Sequence, residues 1–444
     1  MPGKFTKDTL ITLSAKILLL VLGIATSIIV SRVLKPEGRG IYVLALLLPS
    51  LLTTFTNLGI GPATVFYIGK KKYSPKEIFG INIIFSLLIS TLAIIIGLII
   101  VFFFGDKLFS GVEKEYLLLA LSLVPLYLFL NFLIDVFLGL QKIKKYNLIL
   151  IIQALCSLLL VIIFLLIFHL GIKAAIISEI LSFTIACIIL FFQIKKEVQG
   201  LSIFLNKKIF QDFLLYGAKI YLGNIIGFLQ YRIDVFILNI FLNPTAVGFY
   251  SIAVALAEKI WLASESAGIV IFPKVSSEKD KVRLKEFTPL VCRNILFFSL
   301  LAAASLFLLG HWIIILLYSK SFLASVIPLQ ILLIGIVSGS ASRILANDIS
   351  GRGKPMINSY IGIITVILNV ILNIVLIPKF GIGGAALSST ISYTTTFLIK
   401  LIVYSKISGN RIRDIIFIKK SDFRFYKNFL LIFKNKYFNS RNSL

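Results

Sequence analysis

Apolar stretches of about 20 residues, each closed by a brief polar one, follow one another through nearly the whole 444-residue chain. That length crosses the hydrocarbon of a bilayer as a helix, and a segment in lipid must satisfy its own backbone polar groups. With 58% hydrophobic residues, 14% charged and a mean hydropathy of +1.00, the chain reads as an all-α polytopic membrane protein. Twelve spans can be drawn, at about 10–31, 40–65, 78–104, 117–140, 147–170, 172–194, 213–241, 249–272, 288–317, 326–347, 357–377 and 382–405. The first apolar run, Leu10 to Val30, is too long for a cleaved signal and lacks a small-residue cleavage site, so it is expected to stay as a span.

A nine-residue stretch recurs. Leu34-Lys35-Pro36-Glu37-Gly38-Arg39-Gly40-Ile41-Tyr42 is echoed 208 residues on by Leu242-Asn243-Pro244-Thr245-Ala246-Val247-Gly248-Phe249-Tyr250, with Leu, Pro, Gly and Tyr in register. Pro is expected to stop one helix, Gly to relieve the tight connection, and Tyr to sit where the next helix re-enters the membrane. Gly171-Ile172-Lys173-Ala174-Ala175-Ile176-Ile177-Ser178 returns as Gly381-Ile382-Gly383-Gly384-Ala385-Ala386-Leu387-Ser388 at an offset of 210. Nearly equal offsets predict a duplicated unit half the chain long. Six spans per copy make both copies start on the same side, as parallel bundles about an axis along the membrane normal. The division predicted is a lobe at 1–198, an interfacial cytoplasmic linker at 199–212, a lobe at 213–406 and a basic, aromatic cytoplasmic tail at 407–444. Leu201, Ile203, Phe204, Ile209 and Phe210 alternate with polar residues in the linker, which suits the headgroup region. In the tail Phe423, Tyr426, Phe429, Phe433 and Tyr437 mix with basic residues, which suits an anionic lipid surface.

The net charge of +26 would suit nucleic acid, but its distribution excludes that partner. With the amino terminus inside, inner loops and tails hold 30 Lys/Arg, outer loops 8 and spans 7. This is the positive-inside bias, and it puts both termini in the cytoplasm of a plasma (inner) membrane protein. Cys156, Cys187 and Cys292 lie in apolar runs without paired spacing, and His169 and His311 stand alone, so neither disulfide nor metal site is expected.

A charge in hydrocarbon costs about 2.5–3.5 kcal/mol on insertion scales, so one that persists needs a partner or a water-filled cavity. Lys16, Asp135, Glu179, Arg232, Asp234, Glu258, Lys259, Glu265 and Arg343 persist. For Lys259 and Glu265, near the ends of their span, neutralisation or snorkelling is an adequate reading. Arg232 and Asp234, two apart, face opposite sides of a helix and cannot simply pair. The charges do not repeat: Lys16 corresponds to Asn224, Arg232 to Ile24 and Glu258 to Ser50. An asymmetric site on a duplicated scaffold favours a large, asymmetric substrate over a channel. Gly223/Gly227 and Gly335/Gly339, each four apart, read as close-packing positions, and Pro49, Pro125 and Pro328 as flex points. The sequence carries no nucleotide loop, metal spacing or Ser/His/Asp set, and its outer loops are short, which argues for a transporter rather than an enzyme.

The Leu-x-Pro-x-x-x-Gly-x-Tyr stretches, Arg232-Ile233-Asp234 before Pro244, Phe272-Pro273, Gly351-Arg352-Gly353-Lys354-Pro355 and the run from Ile377 to Ala386 together resemble one family, over residues 8 to 406. It is the polysaccharide (Wzx-type) flippase family of the multidrug/oligosaccharidyl-lipid/polysaccharide (MOP) superfamily. The resemblance implies a V-shaped, two-lobed, alternating-access transporter. It further implies a substrate of undecaprenyl pyrophosphate bearing an oligosaccharide, for O-antigen, capsule or a related glycan, moved from the cytoplasmic to the outer leaflet. Partners would be membrane lipids and glycan polymerase or ligase machinery. For such an anion, Lys16, Arg232 and Arg343 are the expected pyrophosphate site, and Asp135, Glu179 and Asp234 the expected carriers of a coupling proton or Na⁺, with no other cofactor. A multidrug exporter of the same superfamily would want an acidic cavity instead. A peptidoglycan-precursor flippase would be expected to have two further helices. A membrane scaffold for glycan synthesis would rest on the basic tail alone.

Reporter fusions check the topology. A reporter after residue 406, or one within 195–212, is expected to read cytoplasmic, and an extracytoplasmic reading at either place overturns the twelve-span assignment.

Overall fold

A computed structural model describes residues 2–202, 206–278, 280–419 and 422, the side chains of 2–10, 277, 281 and 282 excepted. Among the described residues ten helical stretches are long and apolar enough to cross a membrane: α1 (Ile11–Thr56), α3 (Pro75–Leu108), α4 (Lys114–Gly139), α5 (Ile143–Ile167), α6 (Gly171–Glu197), α7 (Lys207–Phe241), α8 (Pro244–Ser276), α9 (Arg283–Tyr318), α10 (Lys320–Gly351) and α11 (Pro355–Ser408). The shorter apolar helix α2 (Ile60–Gly69) follows α1. Two of the ten have double length and each is broken inside, α1 at Lys35 (φ 59°) and α11 at Gly381 (φ 57°). The protein is therefore all-helical, with ten to twelve crossings according to whether the broken stretches are counted once or twice.

Local chemistry sets the helix ends. Ser74 caps α3 in a capping box with Glu77, and Pro75 takes the first turn, where its missing N–H costs nothing. The Asn206 side chain accepts from Lys208 N–H at 3.0 Å at the start of α7. Gly171 and Gly381, the matching residues of the second repeated stretch, both have positive φ (72° and 57°), the conformation glycine adopts without penalty. Where α1 was expected to run on to about Val65, the chain breaks at Leu58 (φ 52°) and Gly59 (φ 70°), with the Gly59 N–H held by Asn57 Oδ1 at 3.1 Å. Hydropathy does not register that break because the residues on both sides stay apolar.

The described residues pack as two compact units. The first comprises Met1–Ala253, His311–Pro328 and Asn369–Ala386, and the second Val254–Gly310, Leu329–Leu368 and Leu387–Leu444. They interleave along the chain and divide it differently from the two halves of the sequence repeat.

In the first unit the two copies of the nine-residue stretch meet directly. A Cβ on Gly40 would lie 1.7 Å from the Pro244 carbonyl oxygen, and one on Gly248 would lie 2.0 Å from that of Pro36. Both glycines are helical, and the positive φ of the first connection belongs to Lys35, so these glycines permit a backbone-to-backbone crossing and do not relieve a turn. A second crossing joins the α1–α2 break to α7: a Cβ on Gly217 would stand 2.1 Å from the Leu58 oxygen. Around it Phe66 stacks on Tyr216 (4.3 Å) and Tyr67 on Phe213 (5.1 Å), and Lys72 and Tyr73 both reach the Asp212 carboxylate. That carboxylate raises the Lys72 pKa above its usual value. Ile209 is 2% exposed and Phe210 stacks on Phe85 at 4.5 Å, so this end of the linker packs on protein and not on headgroups. Ile203 and Phe204 of the linker, and Phe423, Tyr426, Phe429, Phe433 and Tyr437 of the tail, lie outside the described residues. Arg32 donates through Nε to the Leu317 carbonyl at 2.8 Å, neutralising the end of α9.

In the second unit α10 lies between α8 and the latter part of α11. On one side Trp261 Nε1–H donates to the Ile336 carbonyl at 2.9 Å, Gly339 receives the Trp261 ring, and Gly268 receives Asn347. On the other, a Cβ on Gly335 would meet Thr390 Cα at 2.7 Å, and Thr394 Oγ1 bonds Ser338 Oγ at 3.4 Å. Gly335 and Gly339 are thus packing positions as expected. Gly223 and Gly227 are not, since a Cβ on either meets nothing within 4 Å. Arg293 grips Asp422 with two N–H groups at 2.5 Å each and donates to the Asp414 carbonyl at 3.0 Å, which docks the start of the tail on α9. Burial raises the Asp422 carboxyl, but Arg293 and the Lys419 amide outweigh it and hold it below its usual range.

The crossing predicts sharp position dependence. Gly40→Val or Gly248→Val would press side chains onto backbone, which yields little, and should cost on the order of 1–3 kcal/mol or more. Membrane abundance and Tm in detergent should both fall, while Gly223→Ala leaves them unchanged.

Candidate substrate-binding site

Six of the intramembrane charges were expected to bind the substrate or a coupling ion, and the structure gives each a different setting. Lys16 lies half-buried on α1 and forms no ion pair among the described residues. Asp135 on α4 rests against α2, its Oδ2 2.3 Å from where a Gly61 Cβ would be, so glycine makes the room for the carboxylate. Glu179 on α6 accepts from Ser157 Oγ of α5 at 3.1 Å. Arg232 on α7 donates to the Tyr231 carbonyl at 3.2 Å.

Asp234 is 2% exposed and is held from two directions. The Tyr250 hydroxyl donates to its Oδ2, and the Val235 N–H donates to Oδ1 at 2.8 Å. Tyr250 is the last residue of the second nine-residue stretch and is itself fully buried. The Arg-Ile-Asp motif and the repeated motif are thus parts of one contact, with Asp234 facing another helix as its spacing from Arg232 required. In the first half Thr26 stands at the Asp234 position, and its hydroxyl returns to the Leu22 carbonyl at 3.0 Å.

Arg343 belongs to the second unit. Its Nη1 meets Glu265 Oε1 at 3.1 Å, and its guanidinium lies over the Trp261 ring at 4.1 Å. The carboxylate beside it is therefore Glu265, which the sequence left as a span-end charge. Sequence reasoning also passed over Lys400, although the rule that flagged Lys16 would have found it, since it too interrupts a long apolar run. Lys400 is half-buried and close enough to Arg343 for the two charges to repel. Lys16, Arg232, Asp135, Glu179 and Asp234 belong to the first unit and Arg343 to the second.

Ten apolar helices of this length, with basic and acidic side chains kept among them, define a multi-pass membrane protein of transporter type. The chain belongs to the family of polysaccharide biosynthesis proteins, which it matches over residues 5–279. A Shigella flexneri protein named for O-antigen transport is 24% identical over 398 residues, covering 85% of this chain and 92% of its own. Among solved structures, the lipid II flippase MurJ in an inward closed conformation superposes with a TM-score of 0.73 at 18% identity, over 97% of this chain and 99% of that one. An inward-facing multidrug-resistance MATE transporter of the MOP superfamily gives 0.71 at 16% identity, over 88% and 94%. At these identities the structural likeness establishes the fold. The resemblance to polysaccharide flippases of the MOP superfamily, read from the motifs, is borne out.

The Asp234 contact predicts a structural phenotype. Tyr250→Phe keeps the ring but strips a buried carboxylate of a donor, which typically costs about 1–3 kcal/mol. A lowered Tm in detergent with normal mRNA level and reduced membrane abundance is the expected result, and an unchanged Tm would refute it.

Proposed function

We propose that the protein is a flippase that carries oligosaccharide units linked to undecaprenyl pyrophosphate from the cytoplasmic to the outer leaflet of the plasma membrane. The O-antigen, capsule and related surface glycans are the class of cargo. The observation that carries the reading is the set of basic side chains kept inside apolar helices, Lys16, Arg232 and Arg343, in a member of the polysaccharide biosynthesis family. A multidrug exporter for cationic compounds would be repelled by the same residues. The likeness to MurJ supports a second reading, the flipping of a peptidoglycan lipid precursor, whose carrier also presents a pyrophosphate.

In this mechanism both termini are cytoplasmic, and two lobes, 1–198 and 213–406, alternately open the site to either face. Arg holds a phosphate through two parallel N–H groups, and Lys adds a point charge. Pyrophosphate carries roughly two negative charges, and moving each outward across an inside-negative potential of 100 mV is favoured by about 2.3 kcal/mol. Membrane potential therefore biases export unless ions move with the lipid, and Asp135, Glu179 and Asp234 are the residues proposed to carry a proton or Na⁺. Polymerases or ligases outside would consume the product and pull the reaction.

Proteoliposome flipping of a labelled polyprenyl-pyrophosphate oligosaccharide tests this, with lipid II as the parallel substrate. Arg232→Lys and Arg343→Lys should keep partial transport, while each Ala variant should abolish it at normal membrane levels. Transport by both Ala variants at the wild-type rate would rule out the site, and transport of lipid II alone would favour the second reading.

A further inference from the structure

We propose that Arg343, Lys400 and Glu265 form a headgroup site kept occupied by its own carboxylate: Glu265 stands in for an anionic lipid headgroup and gives way to a pyrophosphate. This rests on the reading above for the identity of the lipid and goes beyond it in naming Lys400 as a ligand and Glu265 as a competitor.

The register of the second unit brings the three together. Trp261 bonds the Ile336 carbonyl, and further along the same pair of helices, one turn on in α8 and about two in α10, Glu265 meets Arg343. On the opposite flank of α10, Thr390 bonds the Ile331 carbonyl at 2.8 Å and Thr394 bonds Ser338. Continuing that register by about one and a half turns brings Lys400 near the level of Arg343. A second cation therefore stands beside the Arg343–Glu265 pair. Among the described residues Lys400 makes no ion pair or hydrogen bond, and its charge repels that of Arg343. An uncompensated cation is costly among apolar helices, and a ligand with two negative charges in place of Glu265 would neutralise both.

The pair is built to be exchanged. The Glu265 side chain is 45% exposed and makes one contact at 3.1 Å, in contrast to the two-pronged grip of Arg293 on Asp422, whose side chains are 9% and 1% exposed. Single, exposed ion pairs contribute little. The Trp261 ring under the guanidinium holds its plane, so an incoming oxygen must arrive at the edge where Glu265 now sits. In the proposed topology α8, α10 and the latter part of α11 run toward the cytoplasm. Arg343 and Lys400 each precede the end of their helix by eight residues, about 12 Å at 1.5 Å per residue. That is headgroup-proximal depth in the inner leaflet, where a lipid made in the cytoplasm would enter.

The test is equilibrium binding of undecaprenyl pyrophosphate to the purified full-length protein in detergent, with undecaprenyl monophosphate and free inorganic pyrophosphate as parallel probes. Glu265→Gln removes the competitor and should tighten undecaprenyl pyrophosphate by up to about 5-fold, the size expected of one exposed charge pair. Lys400→Met should weaken it by a similar factor and Lys400→Arg should restore it, with monodisperse elution confirming each fold. Monophosphate should respond less to Lys400→Met than pyrophosphate does. A site for the free anion, and not for a lipid, would bind inorganic pyrophosphate with the same dependence on both residues, which overturns the lipid assignment. Unchanged or weaker binding in Glu265→Gln, or unchanged binding in Lys400→Met, overturns the proposal even where wild-type flipping proceeds. Conversely, the expected binding changes with no flipping of any pyrophosphate lipid would uphold the site and refute the flippase reading.

Discussion

Two helices can touch backbone to backbone only where neither carries a side chain, and the two copies of the nine-residue stretch meet in that way at Gly40 and Gly248. The geometry of the first unit follows from this contact. Pro244 is pressed close enough to receive the Gly111 turn, where a Cβ would lie 2.8 Å from its ring. One residue past Gly248, the Phe249 carbonyl accepts from Ser325 Oγ at 2.8 Å, and two past it Tyr250 reaches Asp234. In hydrocarbon there is little hydrophobic drive to press helix on helix, so close packing and buried hydrogen bonds must hold them. Reciprocal glycines, each accepting the partner's carbonyl, provide the closest packing a helix pair allows.

The same economy separates the charges by role. Asp234 and Asp348 are almost fully buried and are met by donors on neighbouring helices, Tyr250 for one and Thr288, at 2.6 Å, for the other, with Arg352 four residues along the chain from Asp348 as a further donor. Removing a partner from such a site leaves an uncompensated charge in a low-dielectric interior, so these residues hold the fold. Arg343 differs. It is steadied by an aromatic face and a half-exposed carboxylate, and it has a second cation beside it. Such an arrangement is poor at fixing helices and well suited to exchanging one anion for another, which is why Arg343 is the stronger candidate for contact with a charged headgroup.

The helical content, the positions of the apolar stretches and the family were legible in the sequence, because run length against bilayer thickness is a one-dimensional property and the motifs are local. Gly171 and Gly381 show this well: an offset of 210 residues picked them out, and both adopt the positive φ that glycine permits. Lys400 was equally legible by its place in an apolar run. What the sequence could not place was anything that depends on which helix faces which. It read Gly40 and Gly248 as turn residues and Gly223 and Gly227 as packing residues, when the first pair makes the crossing and the second faces open space. It extended α1 through Leu58 and Gly59, where contact with Gly217 requires the chain to break.

By itself, then, the sequence determined that this chain is a bundle of membrane-crossing helices of the polysaccharide flippase kind, because hydrocarbon leaves a backbone few other ways to satisfy its polar groups. Only the tertiary structure decided the partners: Tyr250 for Asp234, Glu265 and Trp261 for Arg343, Asp422 for Arg293. Those pairs join residues 16 to 129 positions apart, and their meeting is set by helix register and by which faces the small residues bring close, neither of which is written in the order of residues along any single span.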